Sequence, residues 1–266
     1  MISLNHRLLL ISVFLLLFSC SRVPITGRRQ LNMIPESQLI SLSASSYDSF
    51  LKNHSKITTG PDAAMVKRVG DRISNGVVRF LNENKMGDRV GDYQWEFNLV
   101  KDSLVNAWCM PGGKVVVYSG ILPVTKDEQS LAIVMGHEIA HAVARHGNER
   151  MSQGLMVMMG GIALDMASQQ QPDATRELLL QSYGVGSQLG VLAYSRKHET
   201  EADKLGMVFA AMAGYDPTAA IGFWERMAVQ GGTKPPEFLS THPSDETRVR
   251  QIKEFLPTAK KYYKGS

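Results

Sequence analysis

The 266-residue sequence is poor in several things at once. It has two cysteines, Cys20 and Cys109, too few for a disulfide framework. Its charge is nearly balanced: a formal net charge of +4, falling to about +3 if Arg7 leaves with an N-terminal leader, is no electrostatic footprint for nucleic acid. No internal repeat or low-complexity tract is present. Past the N-terminus, Met151 to Ala167 is rich in Met and Gly, and its apolar part is too short to predict a transmembrane helix; it reads as a lid or substrate-contacting helix, or as a core helix. What remains, 44% hydrophobic and 20% charged residues, is the composition of an ordinary globular protein.

The first 19 residues read as a secretory leader. His6 and Arg7 form a small basic region, and Leu8 to Phe18 an apolar core too short to span a bilayer. Leu17-Phe18-Ser19-Cys20 resembles a bacterial lipobox, which makes Cys20 the expected lipid-bearing first residue of the mature chain. Ser21 in the next position points to the outer membrane, facing the periplasm. Cys109 is then alone and reads as a small buried hydrophobe.

Residues 20–59 are expected to form a tether and an N-terminal helix, with Leu39, Leu42, Tyr47 and Phe50 as its stripe. A second helix, from about Asp62 to Asn82, follows a break at Thr58-Thr59-Gly60-Pro61, with Met65, Val66, Val69, Ile73, Val77 and Phe80 at helical spacing. Tyr93 to Val100 and Lys114 to Ser119 read as two strands with a turn at Pro111-Gly112-Gly113. Such strands supply an edge to which an extended peptide can add by main-chain hydrogen bonds, or an ordinary supporting hairpin. The main domain is expected over residues 60–258, with a tail at 259–266.

The strongest signal is His137-Glu138-Ile139-Ala140-His141. Positions i and i+4 share a helical face, so two imidazoles there can hold one metal ion. Glu138 beside them can act as the general base of a metalloprotease. Thr125 with Glu128 reads as a capping box, and Gly147 as the helix stop. A third histidine six residues past His141 would extend the motif, but that position is Gly147, and His146 falls one place early. The alternative is an acidic ligand on a separate helix, and Leu189 to Ala213 offers Glu199 and Asp203 at i and i+4. Glu199 can bind the metal, and Asp203 can accept a hydrogen bond from the far N–H of a ligating histidine. Glu201 and His198 are weaker candidates on other faces. His242, on a loop, is open by chemistry alone between a structural and a functional role.

His137-Glu138-x-x-His141, Glu199-x-x-Ala202-Asp203, Ser240-Thr241-His242-Pro243 and Arg248 together resemble metallopeptidase family forty-eight. Asn106-Ala107, Pro111-Gly112-Gly113 and Gly206 add to the likeness, which covers about Gly60 to Phe255. The resemblance implies an α+β, mainly helical fold of the gluzincin type, with an active-site helix beside a small sheet. It implies one zinc ion per chain on His137, His141 and Glu199, and substrate contacts at Asn106 and Ala107. His242 would face the metal, as a transition-state donor or an inhibitory fourth ligand, with Arg248 as its electrostatic companion. The expected function is that of a zinc metalloendopeptidase of the bacterial envelope, lipid-anchored and acting on misfolded or stalled envelope polypeptides. The rival is a zinc-regulated chaperone or scaffold held off by His242.

Overall fold

A computed structural model describes residues 20–229, 238, 242 and 246–264. In chain order the strands are β1 (Cys20–Arg22), β2 (Arg29–Leu31), β3 (Lys56–Ile57), β4 (Glu96–Val100), β5 (Ala107–Met110) and β6 (Lys114–Tyr118). The longer helices are α1 (Glu36–Lys52), α2 (Pro61–Glu83), α3 (Glu128–Val143), α4 (His146–Ser168), α5 (Asp173–Met212), α6 (Ala219–Val229) and α7 (Glu246–Lys260), with a single helical turn at Leu122–Thr125 before α3. The fold is α+β and mainly helical, of the zincin type. The expected leader lies outside the described residues. Gly231-Gly232, Pro235-Pro236 and Ser244, which the sequence marks as a helix end, a loop and a helix cap, lie outside them as well. No helix among the described residues is long and apolar enough to cross a membrane.

The chain divides into two compact units, residues 1–35 with 145–195, and residues 36–144 with 196–266. In the larger, the sheet runs in the order β3-β4-β6-β5. The expected pair of strands is present but is not a hairpin: β4 and β6 lie side by side in parallel. The connection from β4 to β6 includes a further strand, β5, which pairs antiparallel to β6 and takes the edge of the sheet. Gly112 and Gly113, at φ of 89° and 83°, make the turn between β5 and β6, a conformation that penalises any Cβ.

α3 is apolar on all sides, and every residue from Ser130 to Val143 is buried, as befits a central helix. Its N-cap is Asp127, whose carboxylate accepts from Ser130 N at 2.7 Å. The expected capping box does not form. Lys126 adopts φ 65°, leaving Thr125 in the preceding helical turn, where its hydroxyl donates to Leu122 O at 3.0 Å. Nor does Gly147 end the helix. The chain turns at Arg145, φ 61°, and α4 starts at His146 with Gly147 inside it.

α2 buries the expected positions from Val66 to Phe80, with Met65 half-buried. On α1 the stripe is rotated: Leu39, Ser43 and Tyr47 are buried at i, i+4 and i+8, while Leu42 is exposed. Tyr47 reaches the sheet, its ring edge-on to Trp108, and its hydroxyl accepts from Asn98 Nδ2 at 2.8 Å. That contact sets the helix rotation.

In the smaller unit β1 and β2 pair antiparallel. α4 holds this segment through polar groups. Arg28 donates twice to the Glu149 carboxylate, at 2.7 Å each. Met33 N donates to Ser152 Oγ at 2.8 Å, and Asn148 Nδ2 to Ile34 O at 2.7 Å.

Candidate metal centre and active site

Two glycines bring the site together. A Cβ on Gly206 of α5 would lie 2.7 Å from His137 N, and one on Gly136 of α3 would lie 2.8 Å from Gly206 O. The two helix backbones therefore touch at His137 itself, one turn past Asp203 on α5, which a side chain at either glycine forbids. This contact sets Glu199 and Asp203 against His137 and His141.

The ligand atoms of His137, His141, Glu199 and His242, all buried, lie within 4.8 Å of one another. His137 Nε2 is 3.1 Å from His141 Nε2 and 3.2 Å from His242 Nδ1. His242 Nδ1 is 2.9 Å from Glu199 Oε2. Glu199 lies 3.4 Å from both His137 Nε2 and His141 Nε2. A tetrahedral ion with bonds of about 2.0–2.1 Å spaces its ligands by roughly 3.3 Å, so the donor set fits such an ion. Two buried carboxylate atoms, Glu199 Oε1 and Glu138 Oε1, accept no hydrogen bond, which also fits a cation at this centre.

Asp203 Oδ1 accepts from His137 Nδ1 at 2.9 Å, which turns the His137 Nε2 lone pair toward the cluster. Arg248 grips the same carboxylate with two donors, Nε and Nη2, each at 2.8 Å. It also donates from Nη1 to His242 O at 3.2 Å. Its guanidinium lies 3.4 Å over the Trp224 ring, a cation–π contact inside the core. Glu138 Oε1 is 3.4 Å from His242 Nε2.

The electrostatics follow from burial and charge. Burial alone would lower the pKa of His137, but its hydrogen bonds with Asp203 and Glu199 outweigh it and raise the value to about 9. Burial would push Glu199 up, but His141 and the surrounding imidazole hydrogen bonds hold it far below the usual carboxylate range. Asp203 is also lowered, the Arg248 charge and the His137 hydrogen bond outweighing its burial. Glu138 is raised, chiefly by burial, as suits a group that must both take and release a proton. The protein's own groups thus favour positive charge at the centre.

Of the residues singled out in the sequence, His137, Glu138, His141, Glu199, Asp203, His242 and Arg248 form this one cluster. Glu201 and His198 are buried but outside the group of converging ligand atoms. Asn106 and Ala107 stand at the start of the edge strand β5, which packs on α3. Asn106 Oδ1 accepts from Ala107 N at 2.9 Å, and neither residue joins the ligand atoms. Cys20 begins β1, in the other unit, and its side chain lies outside the described residues. Cys109, on the edge strand, is half-buried as a residue, with its thiol turned inward. Its thiol is pushed up by burial and then by Glu138. Sequence reasoning missed Trp224 and Phe238, which pack around His137. Helical spacing marks Trp224 only as a core position.

Residues 73–256 match the profile of Peptidase family M48. The chain is similar to the mitochondrial metalloendopeptidase OMA1 of Schizosaccharomyces pombe, 40% identical over 176 residues, which cover 64% of this chain and 49% of that protein. The human metalloendopeptidase OMA1, mitochondrial, is 32% identical over 90% of this chain and 46% of its own length. The beta-barrel assembly-enhancing protease of Yersinia pestis is 34% identical over 58% of this chain and 33% of its own length. The chain spans about half the length or less of these relatives. The expected placement at a bacterial outer membrane is contradicted, since relatives at 32–40% identity are named as mitochondrial enzymes. The physical reason is the narrowness of its basis. A basic start and a short apolar core mark a targeting segment, but the bacterial envelope is read only from the four residues Leu17-Phe18-Ser19-Cys20, and the outer membrane only from Ser21.

Proposed function

This chain belongs to peptidase family M48, and we propose that it is a zinc-dependent endopeptidase acting on misfolded or stalled polypeptides. The observation that carries this reading is the convergence of His137, His141, Glu199 and His242 beside the buried carboxylate of Glu138. Two imidazoles and a carboxylate at tetrahedral spacing are the donor set of a catalytic zinc site with a position to spare. A bound zinc ion would supply Lewis acidity, acidifying water and polarising a carbonyl.

The chain's own residues do the rest. Glu138 takes a proton from the attacking water at its carboxylate and later returns it to the leaving amine. Asp203, clamped by Arg248, keeps the proton of His137 on Nδ1 and its Nε2 free to ligate. An extended substrate would add main-chain hydrogen bonds along the edge strand β5, beginning at Asn106 and Ala107.

His242 is proposed as a plug in the resting enzyme. Its Nδ1 stands with the other three ligand groups, where substrate has to displace it. Acylation of Cys20 is proposed from the lipobox-like stretch, and the mass of the mature chain with and without Cys20→Ala tests it. The central test is cleavage of an unfolded protein by chain loaded with zinc. Glu138→Gln should abolish cleavage and keep the metal. Undiminished cleavage by that variant would overturn the mechanism.

A further inference from the structure

α4 is inside out. Its fully buried side chains are polar: His146, Asn148, Glu149, Ser152 and Ser168. Its exposed stripe is apolar. Met151, Leu155, Met158, Met159, Ile162 and Met166 recur at i, i+4, i+7, i+8, i+11 and i+15, one face of the helix, and are 38% to 65% exposed. On the first part of α5, Leu178 and Val185, seven residues apart, are exposed as well. The two segments form a hairpin in which the Tyr183 hydroxyl donates to Val157 O at 2.9 Å and the ring lies against Gly160. Single exposed apolar residues are ordinary, but a contiguous stripe of them marks a contact surface.

The chemistry of the stripe selects its occupant. Five of the chain's 14 methionines fall between Met151 and Met166. Unbranched, polarisable methionine adapts to many apolar partners and specifies none, as at promiscuous binding surfaces. No charged residue lies between Arg150 and Asp165, or between Glu177 and Arg196. A charged partner therefore gains nothing along either stretch. Over residues 20–35 and 145–195 six arginines face four carboxylates, but none of the six lies between Arg150 and Asp165, so no basic row runs along the stripe as on a helix held at an anionic membrane. At about 1.5 Å per residue the stripe is about 22 Å long, room for roughly six residues of extended chain.

We propose that this face of α4 is a docking surface for apolar, uncharged segments of unfolded polypeptide. It would hold the substrates of the proposed endopeptidase by a contact separate from the metal centre. The inference rests on that functional reading for its substrate class, and its test is arranged to fail separately. The triple variant Met158→Gln/Ile162→Gln/Met166→Gln removes the centre of the stripe, with glutamine keeping helix propensity. Binding of fluorescein-labelled β-casein is measured in the full chain carrying Glu138→Gln, where no cleavage intervenes. Cleavage is measured in the active chain, on β-casein and on a hexapeptide spanning a mapped casein cleavage site.

The expected result is a casein Kd raised at least tenfold by the triple variant. The casein KM should rise by a similar factor at a kcat within twofold, with unchanged kcat/KM on the hexapeptide. Should the triple variant misfold, the single change Met159→Lys repeats the binding measurement. If the active chain cleaves nothing, the endopeptidase reading fails while the casein Kd still decides the surface. Unchanged casein binding overturns the proposal. So does unchanged casein binding accompanied by loss of partition onto phosphatidylglycerol vesicles or by dissociation of a dimer; these results assign the face to lipid or to a second copy.

Discussion

The metal centre and α4 reverse the usual distribution of polarity in opposite directions. Around His137 the protein buries three carboxylates, three imidazoles and a guanidinium. Along α4 it leaves a row of methionines and aliphatic side chains in water. Burying charge is costly unless every group is paired, and the centre meets that condition through Asp203, Arg248 and Glu199. The unpaired atoms that remain, on Glu138 and Glu199, are where a cation and a reaction belong. Exposing apolar surface forgoes stabilisation and is useful only when something covers it. Each reversal marks function, but the first is held by geometry and the second by composition. Substitutions should therefore act on them very differently.

The largest effect is expected at the helix contact. Gly206→Ala puts a Cβ within 2.9 Å of three backbone atoms of Gly136 and His137, and backbone cannot step aside as a side chain can. Overpacking of this kind costs about 1–3 kcal/mol, and here it also moves Glu199 away from His137. Thermal unfolding and metal content should both fall, and a variant with wild-type metal content would show that the contact is not what sets the site.

Next is the orienting carboxylate. Asp203→Asn should weaken metal affinity by about 10–100-fold, the usual range for a group that holds a ligating histidine. The pH dependence is linked to this. The folded value of His137, about 9, lies above its ordinary 6.5, so in the metal-free protein the charged form stabilises the fold below about 6.5. That contribution is lost as pH rises through about 9. Metal binding needs the neutral ring, so affinity should increase up to about pH 9, and metal uptake at pH 7 should release a proton. Calorimetry in buffers of different ionisation enthalpy reads that proton, and uptake without release would contradict the assignment.

His242 gives a smaller effect of informative sign. As a plug, its removal in His242→Ala should raise casein cleavage and allow self-digestion. A fall in turnover of about 10²–10³ would instead make it a transition-state donor. Smallest is the change on the exposed face: Met158→Gln should alter stability by less than about 0.5 kcal/mol. A larger loss would mean that the stripe is packed, and the contrast between the two regions would disappear.

The sequence made the centre unusually legible. His137, Glu138 and His141 are a local pattern, and Glu199 with Asp203 is another, so each half is visible in a short window. Their meeting was not, because it depends on Gly136 and Gly206, which touch across 70 residues of chain; Gly206 adds to the family likeness, but nothing in the sequence pairs it with Gly136. The sheet order was hidden for a similar reason. Alternation marks β4 and β6 as strands but says nothing of the parallel pairing that β5 makes possible. On α1, amphipathic spacing favoured Leu42, whereas the reach of Tyr47 to the sheet turned the helix. The Trp224 stack on Arg248 joins two helices through a contact that has no sequence period.

The central claim is that His137, His141 and Glu199 hold one catalytic metal ion. It is tested most directly by zinc stoichiometry after dialysis, measured on the wild-type chain and on single alanine variants. One zinc per chain is expected in the wild type and in Glu201→Ala, with stoichiometric zinc lost in His137→Ala, His141→Ala and Glu199→Ala. Full zinc in Glu199→Ala together with loss in Glu201→Ala would contradict the account.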